Sequence, residues 1–219
     1  MKKRNYNLIA GLFVALAVFF TSCEGDDNAS GDNALIISDD ASIIKVTGIQ
    51  EFTTVRAEIG YEYDDKVYCD IIAEAPYKNN GFTLELPRTL PAKYLKVFNN
   101  EFISDFYDTS TVTLSDNNAN FCFSLSIRPY DNAVLFLASW NEHEEHYVDV
   151  EWIYADRDVS INGECRDRDE DSPIPLKMNM NLKKGWNVVY ITQTYSDNYS
   201  ISYTDKKPSG VTFRWYMNS

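Results

Sequence analysis

Asn141-Glu142-His143-Glu144-Glu145-His146 gathers both histidines of the chain beside three carboxylates, the donor types a divalent metal takes. A zinc-protease helix needs His-Glu-x-x-His, which puts two imidazoles four residues apart on one face. Here the spacing is three, and the inverted zincin order also fails. The flanking residues alternate like strands, so an exposed acidic hairpin without metal is expected. Asp167, Asp169 and Asp171 imitate the opening of a calcium loop. The likeness ends at Ser172, where that loop needs glycine, and at Met178, where it needs a bidentate glutamate. Pro173 disrupts it further, and a solvated charged loop is the expectation.

No Ser-His-Asp pattern, nucleophile elbow, phosphate loop or dinucleotide fingerprint occurs in the chain. Paired carboxylates for glycoside hydrolysis could be drawn from the many acids, but their separation decides that chemistry. Catalysis is therefore not expected, and no cofactor is implied. Cys69, Cys122 and Cys165 lack the acid-base neighbours that activate a thiol. A Cys122–Cys165 bridge stays open, and burial as small apolar residues is the expectation for all three. Trp152, Trp186 and Trp215 sit in phase with apolar neighbours and are expected in the core. Trp140, with the outward tyrosines Tyr68, Tyr147 and Tyr216, is the aromatic material left for a binding surface, where ring faces stack on sugars.

The elements that carry these residues have a period of two. Val67, Cys69 and Ile71 alternate with Tyr68, Asp70 and Ile72. Asn79-Asn80-Gly81 supplies a hairpin turn into Phe82–Leu86, which Pro87 stops. Phe121, Phe123, Leu125 and Ile127 share one side of a strand, and Val134–Leu137 suits a strand covered on both faces. Val148, Val150, Trp152 and Tyr154 point one way, with Asp149 and Glu151 the other. Leu176, Met178, Met180 and Leu182 alternate with polar residues. A Lys184-Gly185 turn leads to Trp186, Val188 and Tyr190, and Val211, Phe213, Trp215 and Met217 close the chain. Ordered chain is expected from Ile44, and residues 88–106 read as a short helix or loop. No window after residue 40 carries a helical apolar stripe.

The pattern predicts an all-β protein, an antiparallel β-sandwich in two halves, with one continuous sandwich or barrel as the alternative. The polar break Ser115-Asp116-Asn117-Asn118 divides a 41–117 N-terminal β domain from a 118–219 C-terminal β-sandwich domain.

Lys2-Lys3-Arg4 precedes thirteen apolar residues, Leu8 to Phe20, and then Thr21-Ser22-Cys23 and the acidic Glu24-Gly25-Asp26-Asp27. This order is that of a signal peptide, and the run is shorter than the roughly 20 residues of a spanning helix. Residues 1–27 resemble a bacterial lipoprotein signal, with Phe20 where leucine is usual. The resemblance implies removal of residues 1–22 and lipid on Cys23. Acyl chains buried at about 0.8 kcal/mol per methylene would make that anchor permanent. The acidic run after Cys23 resembles the export signal of Bacteroidetes surface lipoproteins, which implies the outer face of the outer membrane. Residues 23–40 read as a flexible acidic tether.

Three of the 20 basic residues and none of the 33 acidic ones lie in the leader, so the net charge of −13 becomes −16 without it. Such a surface repels phosphate backbones, which excludes nucleic acid as a partner. Asn80–Pro87, Ala155–Val159, Lys183–Asn187 and Lys207–Val211 also resemble recurring phrases of uncharacterised Bacteroidetes lipoproteins, a likeness that implies an extracellular β domain and no activity. The expected role is non-catalytic binding of a glycan or a surface protein. Assembly through sheet edges is the alternative, and a surface hydrolase the third.

Overall fold

The computed structural model describes residues 36–39, 52–64, 66–79, 81–98, 107–108, 111–130, 133–141, 146–167, 174–195 and 199–218. The leader, Cys23 and the stretch from Ile44 to Gly48 lie outside the described residues. The described chain is almost entirely strand, and among the described residues no helix is long and apolar enough to cross a membrane. A single 3-10 turn, Ala92–Tyr94, is what the ambiguous stretch after Pro87 contains before the short strand β5 (Lys96–Val97). Ile36–Asp39, inside the stretch read as a tether, forms strand β1 and pairs with β4 (Phe82–Glu85).

Among the described residues, the other strands form one fourteen-stranded sheet, antiparallel except for one pair. Strands β2 (Thr54–Tyr63) and β3 (Lys66–Pro76) lead to β9 (Leu125–Tyr130) and β10 (Ala133–Asn141). From there the sheet continues through β11 (His146–Ala155), β14 (Gly185–Thr194), β15 (Ser200–Thr204), β13 (Pro175–Leu182) and β12 (Val159–Asp167). The short strands β6 (Tyr107–Asp108) and β7 (Thr113–Leu114) lie on β12, and β8 (Asn120–Cys122) lies on β11. The sheet does not close into a barrel.

Strand β10 is where the sheet changes course. Ala138 is paired with both Asp149 of β11 and Arg214 of β16 (Arg214–Asn218), so those strands occupy opposite edges of β10. Strand β9 uses the same edge as β11, earlier along the strand. The chain thus wraps two hydrophobic cores instead of one. The first joins Val55, Ile59, Leu84, Ile127, Leu135 and Trp215 to Val150, Trp152 and Tyr154 of β11. The second joins Ile153 and Ala155, on the opposite face of β11, to Val189, Ile191, Ile161, Met178 and Tyr203.

Several local expectations are modified by this arrangement. Phe121 to Ile127 is not one strand: Phe121 and Phe123 serve the second core, while Leu125 and Ile127 serve the first. The break falls at Phe123-Ser124, where the Ser124 hydroxyl donates to the Gly60 carbonyl at 2.6 Å. The turn before β4 forms, with Lys78 and Gly81 exchanging two backbone bonds and Asn79 at φ +55°. Its strand, however, pairs with β1 instead of β3, and Phe82 packs edge-on against Trp215. Strand β13 alternates as expected, with Leu176, Met178, Met180 and Leu182 buried.

The turn phrases are structural staples. Asp156 accepts from the Asn120 backbone at 3.0 Å, and Arg157 bridges Asp156 and Asp116. Asp158 takes the Lys184 N–H at 2.9 Å, and Asn187 folds back on Lys183 at 2.7 Å. The polar break at Ser115 is fastened to β12, since the Ser160 N–H donates to the Ser115 hydroxyl and its carbonyl accepts the Ser115 N–H.

Gly163 of β12 has φ +136°, and a Cβ there would lie 2.5 Å from the Thr111 carbonyl oxygen and 2.6 Å from the Val112 Cα. Backbone cannot retreat as a side-chain tip does. Gly210 also has a positive φ, +77°, but open space around it. Gly163→Ala is therefore expected to lower the urea midpoint by the equivalent of roughly 3 kcal/mol or more. Gly210→Ala should cost only about 1 kcal/mol, from backbone strain alone. Equal losses in the two variants would contradict the packing of residues 111–112 on β12.

Candidate functional site

Three strands align one side-chain row across the sheet. Trp140 of β10 lies opposite Tyr147 of β11, which lies opposite Gln193 of β14. One step along β11, in the same orientation, come Asp149 and then Glu151. The chain leaves β14 through Tyr195 and returns at Tyr199, and both phenols donate to the buried Gln193 Oε1, at 2.8 and 3.0 Å. The Trp140 ring lies 5.8 Å from both Tyr147 and Tyr195, and Tyr195 lies 5.2 Å from Tyr199. Trp140 is 48% exposed and Tyr195 38%. The result is a solvent-facing aromatic rim over a polar floor of Gln193, Asp149 and Glu151.

That floor is electrostatically unusual. Asp149 accepts from Tyr147, while its Oδ1 is sealed from solvent and has no partner. Burial pushes the Asp149 carboxyl up to about 7 against the Tyr147 hydrogen bond, which holds it down. Burial and then the nearby Asp149 charge raise Glu151 well above the ordinary carboxylate range. The same burial raises the Tyr147, Tyr195 and Tyr199 phenols, so all three remain neutral donors. The floor therefore keeps protons that exposed carboxyls lose.

A second aromatic group surrounds Tyr68. It stacks on Tyr61 at 5.5 Å, and Lys93 lies 4.7 Å from the centres of both Tyr61 and Tyr94. Asp70 accepts from Lys93 and Tyr94, and the Lys93 bond first, then Tyr94, lowers its carboxyl. Charge there is satisfied internally, which is the signature of a structural cluster. Tyr216 is likewise committed, stacked on Phe136 at 5.3 Å.

Of the remaining sequence candidates, Asn141 and His146 pair across β10 and β11 as the ends of a hairpin. His143 and its flanking glutamates lie outside the described residues, as do Asp169 and Asp171, while Asp167 pairs with Tyr107. Among the described residues, no group of three or more His, Cys, Asp or Glu could hold a metal. Trp152, Trp186 and Trp215 are in the core, with the Trp186 indole donating to the Pro87 carbonyl at 2.9 Å. A Cys122–Cys165 bridge does not form, because the two thiols sit in different cores. Cys69 departs from the expected burial. Strand β3 is at the sheet edge, so Cys69 is exposed, and its thiol is pushed up to about 11 by partial burial and a bond to Glu58.

Sequence pattern alone picked out Trp140 and Tyr147 but missed Asp149, Glu151, Gln193, Tyr195 and Tyr199. A signal existed: Ile153 and Ala155 continue the register of Asp149 and Glu151, so that face of β11 could not be wholly solvent-facing. Compared with known proteins, the chain matches no family model, no curated protein and no solved structure at a significant level.

Because folding raises these two carboxyls, the folded chain binds protons that the unfolded chain has released. Their contribution to stability is fullest below about pH 4 and is lost as pH rises through about 7 for Asp149 and higher for Glu151. The double variant Asp149→Asn, Glu151→Gln is expected to gain stability over wild type at pH 8, on the order of 2 kcal/mol. It should gain nothing at pH 4. Denaturant titrations at the two pH values check this, and a pH-independent difference would rule out buried protonated carboxyls.

Proposed function

We propose that the chain is a lipid-anchored surface protein of Bacteroidetes type that binds a glycan or a surface protein without catalysis. The observation that carries the binding reading is Trp140, a large ring left half exposed while Tyr147 and Tyr195 brace it at 5.8 Å. An aromatic face held rigid at a strand end offers CH-stacking area at little cost in conformational entropy. Beneath it, Gln193 and Asp149 supply polar groups that can orient a ligand.

The anchor reading is supported by the order Lys2-Lys3-Arg4, the apolar run Leu8 to Phe20, and Thr21-Ser22-Cys23. With lipid on Cys23, the acidic body would stand clear of the outer membrane on its extracellular face. A hydrolase fits the floor less well. Such an enzyme needs one carboxyl ionised and its partner protonated, whereas burial here raises both. Assembly through a sheet edge has its own observation: β3 pairs only with β2 among the described residues, and Val67 and Ile71 are 85% and 52% exposed on it.

Glycan-array and pull-down screening of the mature chain tests the binding reading. Trp140→Ala is expected to weaken retention of any captured ligand by about tenfold while leaving the melting temperature near wild type. Retention that is lost instead on Val67→Lys, Ile71→Lys would move the interface to β3. For the anchor, Cys23→Ala should abolish palmitate labelling and release the protein from the membrane fraction. Labelling that persists in that variant would refute acylation at Cys23.

A further inference from the structure

Resting on the ligand-binding reading above, the geometry points to a positively charged group, an ammonium on an amino sugar or on an alkylammonium head group, as what the aromatic rim around Trp140 accepts. Asp149 supplies the first reason. Its Oδ1 is sealed and unpartnered, and Tyr147 satisfies only part of the carboxyl. Glu151, two residues on, is buried in the same register.

Among the described residues, the polar groups this register places around the pair are phenols, an amide and the two carboxyls themselves. Tyr147 comes from β11 itself, Gln193 from β14, Tyr195 and Tyr199 from the segments flanking the β14–β15 connection, and Trp140 from β10. The nearest base by register is Arg214 of β16, separated from Asp149 by Ala138; it is exposed and makes no ion pair among the described residues. Glu58 sets the contrast. It is as buried as Glu151, yet two guanidiniums, Arg56 and Arg128, each lie 3.4 Å from it. Bases flank the buried Glu58, whereas among the described residues none pairs with Asp149 or Glu151.

The rim supplies the second reason, independent of the carboxyls. The faces of Trp140, Tyr147, Tyr195 and Tyr199 carry negative quadrupole density, which attracts a desolvated ammonium. Trp140 and Tyr195 are the exposed members and give the approach from solvent. A ligand hydroxyl at the rim would leave the Asp149 charge unbalanced, whereas an ammonium there lets the carboxyl ionise and release its proton to solvent. Ring faces and a carboxyl with a sealed, unpartnered oxygen together select for positive charge.

Calorimetric titration of the mature chain with two matched pairs tests this. Choline is compared with its neutral isostere 3,3-dimethylbutan-1-ol, and glucosamine with neutral N-acetylglucosamine. At least one charged member is expected to bind about tenfold or more tightly than its neutral partner. Asp149→Asn and Trp140→Ala should each abolish that preference, while Glu74→Gln on β3 should leave it intact. A preference seen with choline alone assigns the site to an alkylammonium head group, and one seen with glucosamine alone to an amino sugar. N-acetylglucosamine binding as tightly as glucosamine, with no choline preference, would overturn the charge inference and leave the ligand-binding reading standing. A preference that survives Asp149→Asn, or no binding by any of the four probes, would also overturn it; the array and pull-down screen then judges the broader reading separately.

Discussion

Strand β11 is covered on both faces, and most of the molecule is arranged around that constraint. It is hydrogen-bonded to β14 along its ten-residue length and shares its other edge between β10 and β8. One face gives Val150, Trp152 and Tyr154 to the first core; the other gives Ile153 and Ala155 to the second. A strand in this position can hold polar side chains only where a core ends. Asp149 and Glu151 sit at that margin, deep enough to lose water and too far along the strand to be replaced by the packing around Ile153. Transferring such groups from water costs several kcal/mol when ionised and much less when protonated. Burial therefore shifts both acids toward the protonated form, the one that costs β11 least.

The first core solves the equivalent problem differently. Glu58 lies on β2, where the outer face of the sheet brings Arg56 and Arg128 alongside it through the β2–β9 register. Cross-strand pairing of opposite charges needs bases at matching positions. Those positions around Asp149 are instead held by Ala138 and Ile191. The difference is one of neighbour identity: Glu58 has two guanidiniums beside it, and among the described residues Asp149 and Glu151 have none paired with them.

The legibility of the chain follows the same division. The all-β class and most strand positions could be read directly, because a two-residue period survives wherever one face meets solvent; β13, with Lys177, Asn179 and Asn181 outward, is the clear case. The three core tryptophans were legible for that reason too. What could not be read was topology. Phe121 and Leu125 look like one strand face, but they belong to different cores, since a break at Phe123-Ser124 costs nothing in the local alternation. The partner of β4 was equally hidden: an Asn-Gly turn specifies a reversal of direction, and only tertiary packing of Phe82 on Trp215 decides which strand lies beside it. The polar floor was missed because acids alternating with apolar residues have the same pattern whether the polar face meets water or the end of a second core.

The phrases most conspicuous in the sequence are the least informative about activity. Asp156-Arg157-Asp158 and Lys183–Asn187 are rich in charge and amide, yet their side chains are consumed in fastening turns to neighbouring strands. Asp156, Arg157, Asp158 and Lys183 each meet an opposite charge, so little of their interaction capacity remains for a ligand. The aromatic rim has the reverse character. Its residues are common ones in a strand-rich chain, but an exposed Trp140 and an unpartnered Asp149 oxygen leave both contact area and hydrogen-bonding capacity unsatisfied. Local rules are broken in natural proteins chiefly where function compensates for the breach. That criterion favours the end of β10 and β11, not the charged turns, as the surface proposed to bind a partner.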